Sequence, residues 1–328
     1  GHERPAYNSC RNANCPKCQG NKRRQWIESR LDELLPVPHF HVVFTIPGVF
    51  NALHAPRHRE LDNALFKAAS GTLLAFFRKL GGEPAMTAVL HTWGQSLALH
   101  HHVHFLVTGG CLSFDRSRWI KIGRNYLFDV RELSAEFKKR FLRGIKRRVP
   151  DFAVPAKVEE ADWVVHCKKP FAGAAKVVEY LGRYTYRSAI SDRRILAVEN
   201  GRVTFDHKDY RDLDDDGAPR HRPMSLDAIE FIRRFLQHVP PANFRRVRTY
   251  GLAAGRDRVD KLAAAKSLLA PEPVVENEEK PSETAPEKPN RPCPNCGSNR
   301  MEIVDTLLPN GPPPILFRDE TRENSHAA

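Results

Sequence analysis

Apolar and polar positions alternate with period two over His39-Phe40-His41-Val42-Val43-Phe44-Thr45-Ile46, which predicts a strand ended by Pro47-Gly48. Before it, a helix is expected to run through Leu35, stopped by Pro36 and Pro38. Residues 59–80 change to helical spacing, with Leu61, Leu65, Ala68, Leu73 and Phe76/Phe77 on one face. Thr87–Trp93 and His101–Thr108 read as two strands of a hairpin around Gly94-Gln95, the second ended by Gly109-Gly110. A basic helix covers Leu133–Arg148, a short strand Asp162–Cys167, and a second helix 174–184. Residues 194–222 suggest hairpin material turning near Glu199-Asn200-Gly201, followed by an amphipathic helix at 225–238 and a basic segment at 244–252. Such interleaving predicts an α+β domain over residues 36–252, with a central antiparallel sheet flanked by helices. Residues 271–292 are rich in Pro, Glu and Lys with too few apolar positions to fold, and read as a disordered linker before a tail at 293–328.

Charge adds a partner class to this picture. Of 328 residues, 52 are Lys or Arg and 39 Asp or Glu, a net charge of +13 that favours a polyanion such as nucleic acid. No apolar run is long enough to cross a bilayer and no secretory signal is visible, so no membrane partner is expected and the reading is cytoplasmic, beside the nucleoid. Seven cysteines, an odd count without a signal sequence, argue against a disulfide framework.

The chemistry-bearing residues sit on the predicted elements at useful spacings. On a strand, His102 and His104 point to one side and can share a metal. On a helix, Tyr180 and Tyr184 share a face. A metal opposite helical phenols suits one reaction well: the ion polarises a DNA phosphate, and a tyrosine oxygen attacks it and keeps the 5′ end covalently. The plainer alternative makes the histidines surface polar groups and the tyrosines core aromatics. At the N-terminus, Cys10, Cys15 and Cys18 form a Cys-x4-Cys-x2-Cys pattern with zinc-knuckle spacing, marking residues 1–24 as a zinc-binding segment that lacks a fourth ligand. An upstream truncation would explain the gap. Cys293 and Cys296 form a further Cys-x2-Cys knuckle without a second pair nearby.

Several of these motifs, in order, resemble one family. Tyr7-Asn8-Ser9-Cys10-Arg11, Cys15-Pro16-Lys17-Cys18-Gln19 and His91-Thr92-Trp93-Gly94-Gln95 are followed by His102-Val103-His104, Trp163-Val164-Val165 and Lys169-Pro170-Phe171. Then come Tyr180-Leu181-Gly182-Arg183-Tyr184-Thr185 and Arg233-Arg234-Phe235-Leu236-Gln237-His238-Val239. The chain resembles the two-tyrosine HUH rolling-circle transposases of bacterial insertion sequences, the IS91 family. The resemblance implies an HUH endonuclease fold, Tyr180 and Tyr184 as nucleophiles, nicking of single-stranded DNA at the element's ends, and strand transfer through a 5′-phosphotyrosine link. It departs from the family pattern at Asn14, where a His is common, and at Tyr186, which adds a third phenol.

Two histidines leave a divalent ion under-coordinated. Gln95, at the hairpin bend where related initiators carry an acidic ligand, is the expected third ligand for Mg or Mn, with His91 and His100 as rivals. Arg183, Arg187, Lys168 and Lys169 are candidate phosphate contacts or a solvated basic face. Two other functions remain open: a plasmid or phage replication initiator or relaxase, although no Walker-type loop is present, and a non-catalytic zinc-dependent DNA-binding protein.

Overall fold

The structure is a computed structural model and describes residues 16–123, 127–168, 178, 182, 189–239 and 244–270. All of these lie in one compact unit, Cys10–Glu272, of the two into which the chain divides. In chain order the elements are α1 (Pro16–Asp32), β1 (His39–Thr45), a 3-10 turn (Gly48–Leu53), α2 (His54–Lys79), β2 (Gly82–Glu83), β3 (Ala85–Trp93) and β4 (Leu99–Thr108). They continue with β5 (Gly110–Ser113), β6 (Trp119–Lys121), α3 (Val130–Arg148), α4 (Ala156–Glu160) and β7 (Val165–Lys168). The last are β8 (Ile195–Glu199), β9 (Arg202–Leu213), β10 (Pro219–Asp227), α5 (Ala228–Gln237), β11 (Val247–Gly251) and α6 (Arg258–Leu269).

The main sheet is antiparallel, in the order β11-β3-β4-β1-β7. Strand alternation gives it two unlike faces. Phe40, Val42 and Phe44 of β1, Val103, Phe105 and Val107 of β4 and Val165 of β7 are buried in one core with α2 and α3. Leu133, Phe137, Phe141 and Ile145 recur every fourth residue along α3 and supply its apolar stripe. The Asp129 carboxylate caps that helix by accepting from the Arg131 and Glu132 amides. Phe137 is fully buried, with its ring 4.9 Å from that of Phe44 and 5.7 Å from that of Trp163. Truncating it to Ala should cost about 3–5 kcal/mol. Urea denaturation checks this; a loss below ~1 kcal/mol would mean the packing is not as described.

The opposite face is partly covered. Val89, Leu106 and Val178 are buried there together, with Trp26, Ile27 and Leu31 of α1, and Leu34 just after it, packed against them. Gly182, helical like Val178, approaches α1 so closely that a Cβ would come within 2.5 Å of the Ile27 side chain. A second sheet, β10-β9-β8, turns through Asn200 and Gly201, both with positive φ, as the sequence predicts. A third, small sheet joins β2, β5 and β6, so the chain re-forms a strand directly after Gly109.

Several elements are absent from the sequence reading, β11 and α6 among them. Residues 244–252, read as a basic segment, contain β11, because Arg248 lies with its guanidinium 4.0 Å from the Phe66 ring centroid and leaves the strand free to pair with β3. Gly251 ends it at φ +62°, where any Cβ would strike the Pro84 carbonyl oxygen. The helix α6 follows, burying Leu262 and Ala265 against Leu35, Leu112 and Leu252. Among the described residues no helix is long and apolar enough to cross a membrane.

Candidate metal centre

The hairpin register brings a third histidine to the predicted pair. His91 on β3 lies directly across from His102 on β4, and His104 lies across from Val89. Directly opposed residues share a face, so His91, His102 and His104 project together. One ring nitrogen from each lies within 4.8 Å of the others. The ring centroids of His91 and His104 are 4.2 Å apart, and those of His91 and His102 are 5.2 Å apart. His91 stacks on Trp93, which fixes its plane.

Neighbours set the protonation of this cluster. The Nδ1–H of His102 donates to the His100 carbonyl at 2.7 Å, leaving Nε2 with its lone pair outward, the tautomer a metal ligand needs. His104 Nδ1 lies 2.8 Å from His41 Nε2 on β1. Burial pushes His102 down to about 3 and His41 to about 4, and it holds His91 and His104 well below the ordinary imidazole value. Proximity of the rings to one another adds to the depression. Above pH 6 all are therefore neutral, the form of imidazole that ligates a metal. Three neutral nitrogens at this spacing fit a divalent ion.

The same sheet face carries His166 and Lys168 on β7, across from Val43 and His41. Val178 packs on this face at Val89 and Leu106, each two residues from a cluster histidine on its own strand. His101 points to the other face, as strand geometry demands. It is buried, its Nδ1–H donates to the Asn51 side-chain oxygen, and its Nε2 is 2.9 Å from His54 Nδ1. His100 is exposed, with its ring 4.8 Å from that of His102.

The other predicted residues are distributed as follows. Gln95 sits in the turn between β3 and β4, partly buried, and its main-chain oxygen accepts from the Arg194 guanidinium at 2.5 Å. Lys168 is exposed at the end of β7. Tyr180, Tyr184, Tyr186, Arg183, Arg187, Lys169, Cys10 and Cys15 lie outside the described residues, as does the side chain of Cys18 on α1. The sequence reading holds His91 only as a rival ligand, and it does not name His41. Both depend on cross-strand register, which spacing along one strand does not contain.

Comparison with known proteins identifies the family. A family profile described as "Putative transposase" (Y2_Tnp) matches residues 85–261, and the "Transposase zinc-binding domain" of IS91 matches residues 1–46. The chain is 39% identical over 344 residues to "Putative transposase y4qJ" of Sinorhizobium fredii, covering 95% of this chain and 85% of that protein. It is 29% identical over 290 residues to the "Transposase for insertion sequence element IS801" of Pseudomonas savastanoi pv. phaseolicola, covering 83% of this chain and 69% of that protein. No solved structure matches it. With transposase profiles over both its N-terminal segment and its sheet, the chain belongs to the IS91 family of insertion-sequence transposases.

Proposed function

We propose that this transposase is an HUH-type enzyme that nicks single-stranded DNA at the ends of its element and transfers the strand through a 5′-phosphotyrosine intermediate. The observation that carries the reading is the neutral three-histidine cluster on the sheet face against which Val178, from the tyrosine-bearing segment, is packed. His91, His102 and His104 would hold a divalent ion, which supplies charge to polarise a phosphate oxygen. His41 and the His100 carbonyl orient two of these rings. Tyr180 or Tyr184 supplies the nucleophile. Its oxygen bonds to phosphorus, the bond from phosphorus to O3′ breaks, and the 3′ end leaves as a hydroxyl. The phenolic proton passes to solvent, and O3′ takes one up.

Lys168, with Lys169, Arg183 and Arg187, would hold the strand's phosphates near the cluster. Cys10, Cys15 and Cys18 would serve the zinc-binding segment, supporting DNA binding apart from catalysis.

The donor set refines the choice between Mg and Mn. Imidazole nitrogen is a poor ligand for Mg, which prefers oxygen, and a better one for Mn. Cleavage of a single-stranded oligonucleotide carrying an element end should be about tenfold faster with Mn than with Mg at equal concentration. Chelation should stop it. Cleavage indifferent to chelator would remove the metal from the account.

A further inference from the structure

Behind the metal cluster, across β3, lies a cavity of about 440 Å³, within the size range of small-ligand sites. Its walls are apolar where Leu90, Leu236 and Phe244 line it, and polar where Asp62, His58 and Arg233 do. Asp62 is the unusual member. It is 4% exposed, and its Oδ1 has no hydrogen-bond partner among the described residues. The Nε2 of His58, one turn earlier on α2, is likewise buried without one. A buried acceptor left unpaired is costly, so a site that keeps one is suited to receive a donor from elsewhere.

We infer that this cavity receives one unpaired nucleobase of the DNA strand, a base bearing an exocyclic amino group that donates to Asp62. The inference rests on the reading of the protein as a single-strand-acting enzyme. Bases extruded into protein pockets are held in this way, between apolar walls and by hydrogen bonds to their edges. The carboxyl group suits the task. Burial raises it to about 7 while Arg248 and Arg246 pull it down, so a donating amino group would favour its charged, accepting form. Arg233 lines the rim, where its guanidinium is held by the Glu230 carboxylate at 2.6 and 2.8 Å.

Position favours a base from the same strand that meets the metal cluster. Leu90 and Thr92 line the cavity on either side of His91 in sequence, facing the other way. β11 pairs with β3 as far as Val89, one further backbone bond runs from the Leu90 N–H to the Arg246 carbonyl, and Arg246 and His238 then pack on Trp93 and Thr92 at the end of β3. The cluster and the cavity thus lie on opposite faces of the same stretch of β3.

The test is abasic scanning. Single-stranded oligonucleotides carrying an element end, each with one abasic nucleotide, are titrated against the full chain without divalent ion. One position should weaken binding about tenfold, and thymine there should do nearly the same, because stacking and edge contacts of one base are of that order. Asp62→Asn should reduce the preference for an amino-bearing base, and Leu236→Trp, an exposed change at the cavity mouth, should make the sensitive position indifferent within about twofold. Circular dichroism confirms the fold of each. A flat abasic profile, or a sensitive position unchanged in Leu236→Trp, overturns the inference while leaving the nicking proposal standing. Tight binding of free nucleoside monophosphates that Leu236→Trp abolishes, with a flat profile on DNA, would assign the cavity to a free nucleotide instead. Failure to bind any single strand would overturn both readings.

Discussion

His104→Ala should cut strand nicking by about a thousandfold or more while changing affinity for the same oligonucleotide by less than about threefold. The asymmetry follows from where each function resides. Affinity for a polyanion is spread over many Lys and Arg side chains, in a chain of net charge +13, and no single histidine carries much of it. Polarisation of the scissile phosphate, by contrast, is concentrated at one ion held by three rings. His102→Ala and His91→Ala should match His104→Ala. Gln95→Ala separates the two third-ligand assignments: it should cost less than about fivefold if His91 completes the set, and as much as the histidine variants if the turn amide does. Metal affinity, measured by Mn titration, should fall in parallel with nicking. If the histidine variants cleave normally in Mn, the cluster is a buried polar network and not a metal centre.

Acid should unfold the metal-free protein near pH 5, well above the range where most domains give way. Several imidazoles enclosed by the fold, His39, His41, His91, His101, His102, His104 and His238 among them, have folded-state values below the ordinary 6.5. The sign is fixed by linkage. Each group binds its proton more readily when unfolded, so its contribution is intact above pH 6.5 and is lost as pH falls from there toward the depressed value. Each weakens the fold by about 1.4 kcal/mol per pH unit in that window. Asp62, raised to about 7, works in the opposite direction between its unfolded value and 7 and offsets one of them. The net slope of several kcal/mol per unit exhausts a stability of about 5–15 kcal/mol within a few units. Mn should move the midpoint down, since an ion on neutral imidazoles competes with their protons. Circular dichroism against pH, with and without Mn, checks both statements. A midpoint below pH 4 without metal would mean that these histidines are hydrated in the folded state.

Some of this architecture is legible in the chain and some is not, for identifiable reasons. Strand β1 announces itself by alternation, the trace of one face in the core, and β3 and β4 by apolar, β-branched runs that are buried on both faces over most of their length. The placement of His102 and His104 on one side, and of His101 on the other, follows from strand period alone. His91 is different. Its place across from His102 depends on the length of the turn from Gly94 to Ala98 and on a register irregularity between His91 and Trp93, neither of which spacing reveals. His41 is further removed, because β1 joins β4 across the whole of α2. The strand β11 is hidden by its arginines: Arg246 lies over Trp93 and Arg248 over Phe66, so cations occupy positions where a core strand would show apolar side chains. Asp62 reads in sequence as an ordinary polar residue of an amphipathic helix, and only the packed structure shows its carboxylate enclosed.

The central claim is that a tyrosine of the Tyr180/Tyr184 pair takes the DNA strand covalently. The measurement that reaches it most directly is a denaturing gel of the full chain incubated in Mn with a single-stranded oligonucleotide from an element end, labelled at its 3′ end, on the fragment whose 5′-phosphate the tyrosine would hold. Phe substitutions remove only the hydroxyl oxygen, so folding and salt-dependent DNA binding serve as internal controls. The natural chain should yield a denaturant-resistant protein–DNA adduct. Each single Phe variant should retain some initial cleavage, and Tyr180→Phe/Tyr184→Phe should yield no adduct while Tyr186→Phe remains close to normal. An undiminished adduct from the double variant would contradict the account and move the nucleophile elsewhere, with Tyr186 the first residue to examine.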